Sequence, residues 1–210
     1  MRKKYLVLVL ILLVLASSCS LNVTASDNNV PSANKTAIPE SVIVVMSHGS
    51  MPLDYPTDHF AQLMSIEFRI KNATGDLYNS LAAREKTLDD EIRNWPRTAA
   101  NDPFKAQQDK LAAMLETKTG MKVISGYNDF CAPSSIEALH QAIETGAKTI
   151  IVLTTMLTAG GYHVEVAIPK EIDELRKQYP DRKIIYAWPF TNETIINLLS
   201  DQVKKSMISK

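Results

Sequence analysis

The 210-residue chain has little cysteine, little glycine and no excess of charge of either sign. Two cysteines cannot make a disulfide framework, so the fold has to rest on a hydrophobic core. Lys plus Arg is 23 and Asp plus Glu is 23, which excludes the basic stripe of a general nucleic-acid binder. The longest apolar run, residues 5–15, is about eleven residues, short of the ~18–20 that cross a bilayer as a helix. No repeat of domain scale is present, and no Gly-x-Ser-x-Gly elbow of a serine hydrolase. Hydrophobic residues at 45% and charged residues at 22% describe a folded chain rather than a disordered one. The length suits one sizeable domain.

What is present begins with a leader. Arg2, Lys3 and Lys4 precede the apolar run, and Ala16, Ser17 and Ser18 precede Cys19. A basic start, a short apolar stretch and small residues make a secretory signal. The small residues before Cys19 resemble a bacterial lipobox, with Ala16 in place of the usual bulky aliphatic. That resemblance implies cleavage before Cys19 and a lipid on its sulfur, so residues 1–19 are read as a lipoprotein signal peptide with its lipobox cysteine. The expected location is outside the cytoplasm, anchored to a membrane through Cys19. Without the three leader cations the chain has 20 basic residues against 23 acidic. Residues 20–40 are rich in Ser, Asn, Thr, Ala and Pro and read as a flexible tether. Cys131 is then the one remaining thiol, a small buried hydrophobe by expectation.

Residues 41–210 read as one α/β domain. Short apolar runs at 41–47, 121–126, 148–155 and 183–187 have the β-branched content of buried strands. Helical patterns lie between them: one opening at 133–135 with Ile136, Leu139 and Ile143 on a face, one over 169–179, and one over 191–207. Alternating strands and helices imply about four parallel strands in a central layer with helices on both sides. Residues 54–118 are too long for a single crossover helix and predict a helical insertion, with helices near 58–71, 76–95 and 102–119. An insertion at the carboxyl end of a parallel strand overlies the usual ligand crevice, so it is either a lid or structural cover.

The chemistry-bearing residues follow the strands. Ser47-His48-Gly49-Ser50 follows the first strand, and Gly160-Gly161-Tyr162-His163-Val164-Glu165 follows the third. In a strand order 2-1-3-4, the first and third strands are neighbours, and His48 faces His163 across the carboxyl edge. Glycines beside each histidine fit loops of unusual backbone conformation. An imidazole ligates first-row divalent metals or accepts a proton, so two of them suit a metal-handling or acid–base site. Asp129, after the second strand, can reach the same rim, and Glu165 is the acid nearest His163 in sequence. Tyr162 is a candidate ring-stacking wall and His59 a candidate third ligand. His140 lies within a helix and reads as structural.

Residues 42–50, 126–139 and 146–169, with His48 and His163 at these spacings from the strands, resemble the class II chelatases, the sirohydrochlorin cobalto-, ferro- and nickel-chelatase group. The resemblance covers roughly residues 41–53 and 120–200. It implies a chelatase-like three-layer fold and insertion of divalent cobalt, iron or nickel into sirohydrochlorin or a related tetrapyrrole. Metal and macrocycle are then substrates, and no organic cofactor is expected. His48 and His163 would hold the metal, with Glu165 joining them in catalysis. Asp129, Tyr162, Gly160 and Gly161 would line the macrocycle. A departure sits four residues beyond His163, where the family commonly carries an acid and this chain has Ala167. Export is a second departure, and both leave open a non-catalytic metal- or tetrapyrrole-binding lipoprotein. A single unit of this fold can pair with a second copy to complete its site, and the sequence specifies no interface for it.

Overall fold

The computed structural model describes residues 39–208. The leader with Cys19, and the tether up to residue 38, lie outside the described residues. The strands are β1 (Ser41–Ser47), β2 (Lys122–Tyr127), β3 (Thr149–Thr154) and β4 (Lys183–Tyr186). They form one parallel sheet in the order β2-β1-β3-β4. β1 is apolar from Val42 to Met46 because it is central and both of its faces are covered. Its even-numbered side chains join Ile150, Val152 and Ile184 in the main core. Leu139 and Ala142 of α4 (Ser135–Glu144) and Ile168, Ile172 and Leu175 of α5 (Ile168–Gln178) close that core from one side.

The first crossover holds three helices, α1 (Thr57–Ile70), α2 (Gly75–Arg93) and α3 (Pro103–Thr119). Only α3 is a crossover helix in the ordinary sense, because it packs on β2. Pro103 opens it, the Asp102 side chain accepts from the Lys105 N–H at 2.8 Å, and Gly120 ends it at φ 67°. α1 and α2 form the extra hairpin, with their own small core of Leu63, Ile66, Leu81, Leu88 and Ile92. α4 starts with a capping box, since the Ser134 hydroxyl accepts from the Glu137 N–H while the Glu137 carboxylate accepts from the Ser134 N–H.

Two differences from the sequence pattern matter for the site. Helical structure after β3 begins at His163 rather than near 169, as a π-helical turn over His163–Ala167 leading into α5. The Ile168 N–H donates five residues back to the His163 carbonyl. Pro169 has no N–H to offer the next carbonyl, Val164, and the Tyr186 hydroxyl donates to it instead at 3.1 Å. The second difference is α6 (Asn192–Ile208), which forms where its apolar spacing predicts but buries none of its residues. No helix among the described residues is long and apolar enough to cross a membrane.

Candidate metal and tetrapyrrole site

The carboxyl ends of β1, β2 and β3 each deliver one polar side chain to a common point. His48 follows β1, Asp129 follows β2, and His163 stands at the start of the π-helical turn after β3. Asp129 Oδ2 lies 3.0 Å from His163 Nε2 and 3.4 Å from His48 Nε2. The two imidazoles meet edge to face with centroids 5.0 Å apart. One ligand atom from each of the three residues lies within 4.8 Å of the others, a spacing that a single first-row ion can bridge. His163 and Asp129 are half-buried and His48 is exposed, so the cluster opens to a ligand arriving from solvent.

Backbone contacts fix the carboxylate against the first histidine. The Asp129 N–H donates to the His48 carbonyl at 2.7 Å and the Asn128 N–H to the Ser47 carbonyl at 2.9 Å. Gly49, at φ 103°, permits this approach, since a Cβ there would stand 1.9 Å from the Asp129 carbonyl oxygen. Two arginines from the first crossover grip the same loop. Arg93 donates to the carbonyls of Asn128 at 2.9 Å and Cys131 at 3.1 Å, and Arg97 donates to the carbonyl of Phe130. Arg97 also donates to the Ser50 carbonyl at 2.8 Å and is ion-paired with buried Asp102. Burial alone would raise the Asp102 carboxyl. Hydrogen bonds from the Lys105 N–H, the Ser50 hydroxyl and Arg97 outweigh it and hold the group below its ordinary value. The insertion is thus part of the brace that sets Asp129.

The hairpin adds acid beside the cluster. Glu67, Glu85, Asp89, Arg93 and Asp129 bound a cleft of about 360 Å³ between α1, α2 and the Asp129 loop. Burial, then the charges of Asp129, Glu85 and Asp89, raise the Glu67 carboxyl above its ordinary value. Aromatic rings stand at the other margins. Phe130 is 6.3 Å from His48 and packs against Phe60, while Tyr162 is exposed with its ring 5.9 Å from His163.

Of the residues singled out in the sequence, His48, His163 and Asp129 come together. Glu165 does not join them, because its carboxylate turns into its own loop and accepts from the Gly160 N–H at 3.1 Å. Gly160, at φ 92°, and Gly161 shape that loop, and the Glu165 N–H closes it by donating to the Gly161 carbonyl at 3.0 Å. His59 lies elsewhere, 3.0 Å from Glu91 within the α1–α2 hairpin, and His140 packs near Tyr179. Glu67, Arg93 and Arg97 carried no sequence signal, since each reads as an ordinary charged residue on a helix or beside a breaker.

The CbiX family model matches residues 99–206, more than half of the chain. The chain belongs to the CbiX family. The matched CbiX segment includes Asp129 and His163 and stops short of His48. A sirohydrochlorin ferrochelatase from Priestia megaterium is 25% identical over 83 residues, 39% of this chain and 31% of that protein. The chain thus aligns with about a third of the length of that curated relative. Among solved structures, a cobalamin biosynthesis CbiX protein from Marinobacter aquaeolei VT8 is 16% identical with a TM-score of 0.48, covering 81% of this chain and 99% of the other. The sirohydrochlorin chelatase SirB from Bacillus subtilis subspecies spizizenii, solved in complex with cobalt, is 14% identical with a TM-score of 0.41 over 79% of this chain and 50% of the other.

Proposed function

We propose that this CbiX-family chain inserts a divalent metal ion, cobalt, iron or nickel, into sirohydrochlorin or a closely related tetrapyrrole. The convergence of His48, His163 and Asp129 on one point carries the reading. Insertion requires an ion stripped of part of its water and the loss of two pyrrole N–H protons. Neutral imidazoles supply soft enough donors to hold the ion, and a carboxylate beside them orients the rings and accepts a proton. Asp129 does this in place of the acid that Ala167 lacks. Glu67 and the acidic cleft behind Asp129 give the released protons a route to solvent. Tyr162 and Phe130 flank the macrocycle as apolar walls, and Glu165 holds the Gly160-Gly161 loop in shape under it. We also infer that the leader exports the chain and that a lipid on Cys19 anchors it to the membrane. Partition of the wild-type chain into a detergent phase, lost in Cys19→Ser, tests the anchor.

The activity is tested with the full chain in mild detergent, mixed anaerobically with sirohydrochlorin and with Co²⁺, Ni²⁺ or Fe²⁺ in turn, following the visible spectrum. The expected result is insertion faster than the protein-free control, abolished in the His48→Ala, His163→Ala double variant. A saturable spectral shift of the macrocycle with no acceleration would instead make the chain a tetrapyrrole-binding lipoprotein, a reading that Ala167 and export favour. Neither signal would remove the tetrapyrrole from the account.

A further inference from the structure

Negative charge and carbon make up the margin of the His48–Asp129–His163 cluster, and the cations beside it are already engaged. Glu67, Glu85, Asp89, Asp90 and Asp129 bound the cleft behind the cluster, against Lys86 and Arg93. Lys86 is paired with Asp90 at 2.6 Å. Arg93 is paired with Asp89 at 2.7 Å and directs its other donors to carbonyls of the Asp129 loop. Arg97, which grips the same loop, is buried against Asp102. After β3, Glu165 is exposed beside the Gly160-Gly161 loop, and Glu193 of α6 lines a cleft of about 610 Å³ with Thr158 and Ala159.

The rest of the margin is apolar. Phe60, Met64 and Glu67 fall on one face of α1, at spacings of four and three residues. That face meets the Asp129 loop, since Phe60 packs edge to face on Phe130 at 5.3 Å and Glu67 shares the cleft with Phe130 and Asp129. Phe130 in turn is 6.3 Å from His48. Phe68, one residue beyond Glu67, is 75% exposed. Tyr162, beside His163, is 69% exposed, and Val166 of the same π-helical turn is 48% exposed. Rings and aliphatic groups left in water around a polar cluster mark a ligand with apolar surface.

Sirohydrochlorin carries a carboxylate on each of its acetate and propionate arms, so its whole edge is anionic at neutral pH. An arm that enters this margin loses water and meets like charge, and both cations of the acidic cleft are already paired. Like charges brought together at an interface are costly, and a cleft of one sign repels that sign at a distance. A porphyrin whose edge is mostly methyl, ethyl or vinyl lays that edge on Phe60, Met64, Phe130 and Tyr162 and keeps its few propionates in solvent. We propose that the site takes a porphyrin with an apolar edge and a pair of propionates in preference to a macrocycle with a carboxylate on every arm. The proposal rests on the tetrapyrrole reading of the site and narrows its substrate class. Glu67 and Glu85 select by repulsion, and the aromatic and methionine side chains select by contact. The hairpin is the source of both, because α1 and α2 bring these acids and the Phe60–Met64 row to the cluster. The same acids favour the approach of the metal cation, so one charge pattern admits the ion and rejects a polyanionic ring.

The test measures binding without metal, so its failure is separate from that of the chelatase reading. The full chain in mild detergent at low ionic strength is titrated into mesoporphyrin IX, uroporphyrin III or sirohydrochlorin, following macrocycle fluorescence. Mesoporphyrin is a dipropionate with alkyl edges, and uroporphyrin places a carboxylate on every arm of the same ring type. The expected result is mesoporphyrin bound at least about tenfold more tightly than either polycarboxylate. The gap should shrink as salt is added and again in the Glu67→Gln, Glu85→Gln double variant, whose side chains keep their volume. Tyr162→Ala, a change at an exposed ring, should weaken mesoporphyrin roughly fivefold. Polycarboxylates bound as tightly as mesoporphyrin, or a gap indifferent to both salt and the double variant, overturn the proposal, and so does a chain that leaves mesoporphyrin unbound. Insertion of Co²⁺ into sirohydrochlorin with no preference for mesoporphyrin sinks the proposal and leaves the chelatase reading standing. Preference for mesoporphyrin with no insertion into any ring does the reverse.

Discussion

Asp129 Oδ2 sits 3.0 Å from Nε2 of His163 and 3.4 Å from Nε2 of His48. One oxygen between two imidazoles either orients them or shares an ion with them, and both roles need the negative charge. Asp129→Asn keeps the side-chain volume and leaves the backbone hydrogen bonds to His48 untouched. We expect Co²⁺ affinity, read by titration calorimetry, to fall roughly 10–100-fold, as when a carboxylate is lost from around a metal-bound histidine. Denaturation midpoints should stay near those of the parent. Unchanged Co²⁺ affinity would remove Asp129 from the site.

Gly49→Ala tests the loop contact that puts Asp129 there. The new Cβ would lie 1.9 Å from the Asp129 carbonyl oxygen, and the backbone at φ 103° disfavours any L side chain. The two loops must separate, which breaks the 2.7 Å hydrogen bond from the Asp129 N–H to the His48 carbonyl. The expected loss is about 2–4 kcal/mol in urea unfolding, together with loss of Co²⁺ binding. Stability equal to the parent would mean that the loops part at no cost.

Periodicity and turn chemistry made much of this legible beforehand. The four strands and the opening of α4 near 133–135 follow from short-range rules that the structure obeys, and the strand order is the common one for a sheet of this kind. The placing of His48 and His163 at neighbouring strand ends followed from topology alone. Cys131 is fully buried, and burial pushes its thiol up to about 11, in keeping with an inert core residue. Long-range contacts were not legible. Arg93 and Arg97 reach carbonyls more than thirty residues away, and nothing in their local sequence distinguishes them from solvated cations. The preference for Asp129 over Glu165 at the cluster depends on how the π-helical turn rotates Glu165 away, which periodicity cannot register. The apolar stripe of α6 was readable, but a stripe does not say which surface will cover it.

The ion pair of Asp102 with Arg97 predicts an acid-sensitive brace. The folded state holds the Asp102 carboxyl below its ordinary value of 3.8. Its stabilisation is therefore fully present above that pH and is lost as pH falls through the lower folded-state value. Asp102→Asn leaves Arg97 buried without its counter-charge and should cost about 3 kcal/mol at pH 6. The gap between parent and variant should narrow as pH falls below about 3.8, because the unfolded parent then takes up a proton that the folded carboxyl still resists. Stability curves measured by urea unfolding from pH 6 downward check this, and a gap constant in pH would remove Asp102 from the brace.

Tyr186 tests whether the π-helical turn matters to His163. Its hydroxyl is the donor to the Val164 carbonyl, which Pro169 leaves without a backbone partner. Tyr186→Phe keeps the ring that stacks on Trp188, so the change isolates one hydrogen bond. An unsatisfied carbonyl on nearly fully buried Val164 should cost about 1–2 kcal/mol. The hydroxyl, pushed up to about 12 by burial and then by the Glu165 charge, stays protonated and donating through neutral and mildly alkaline solution. The cost should accordingly be flat between pH 6 and pH 9. His163 begins the same turn, so Co²⁺ affinity should fall with stability. A variant that loses stability but binds Co²⁺ as the parent does would show that the turn holds the fold without aiming the histidine.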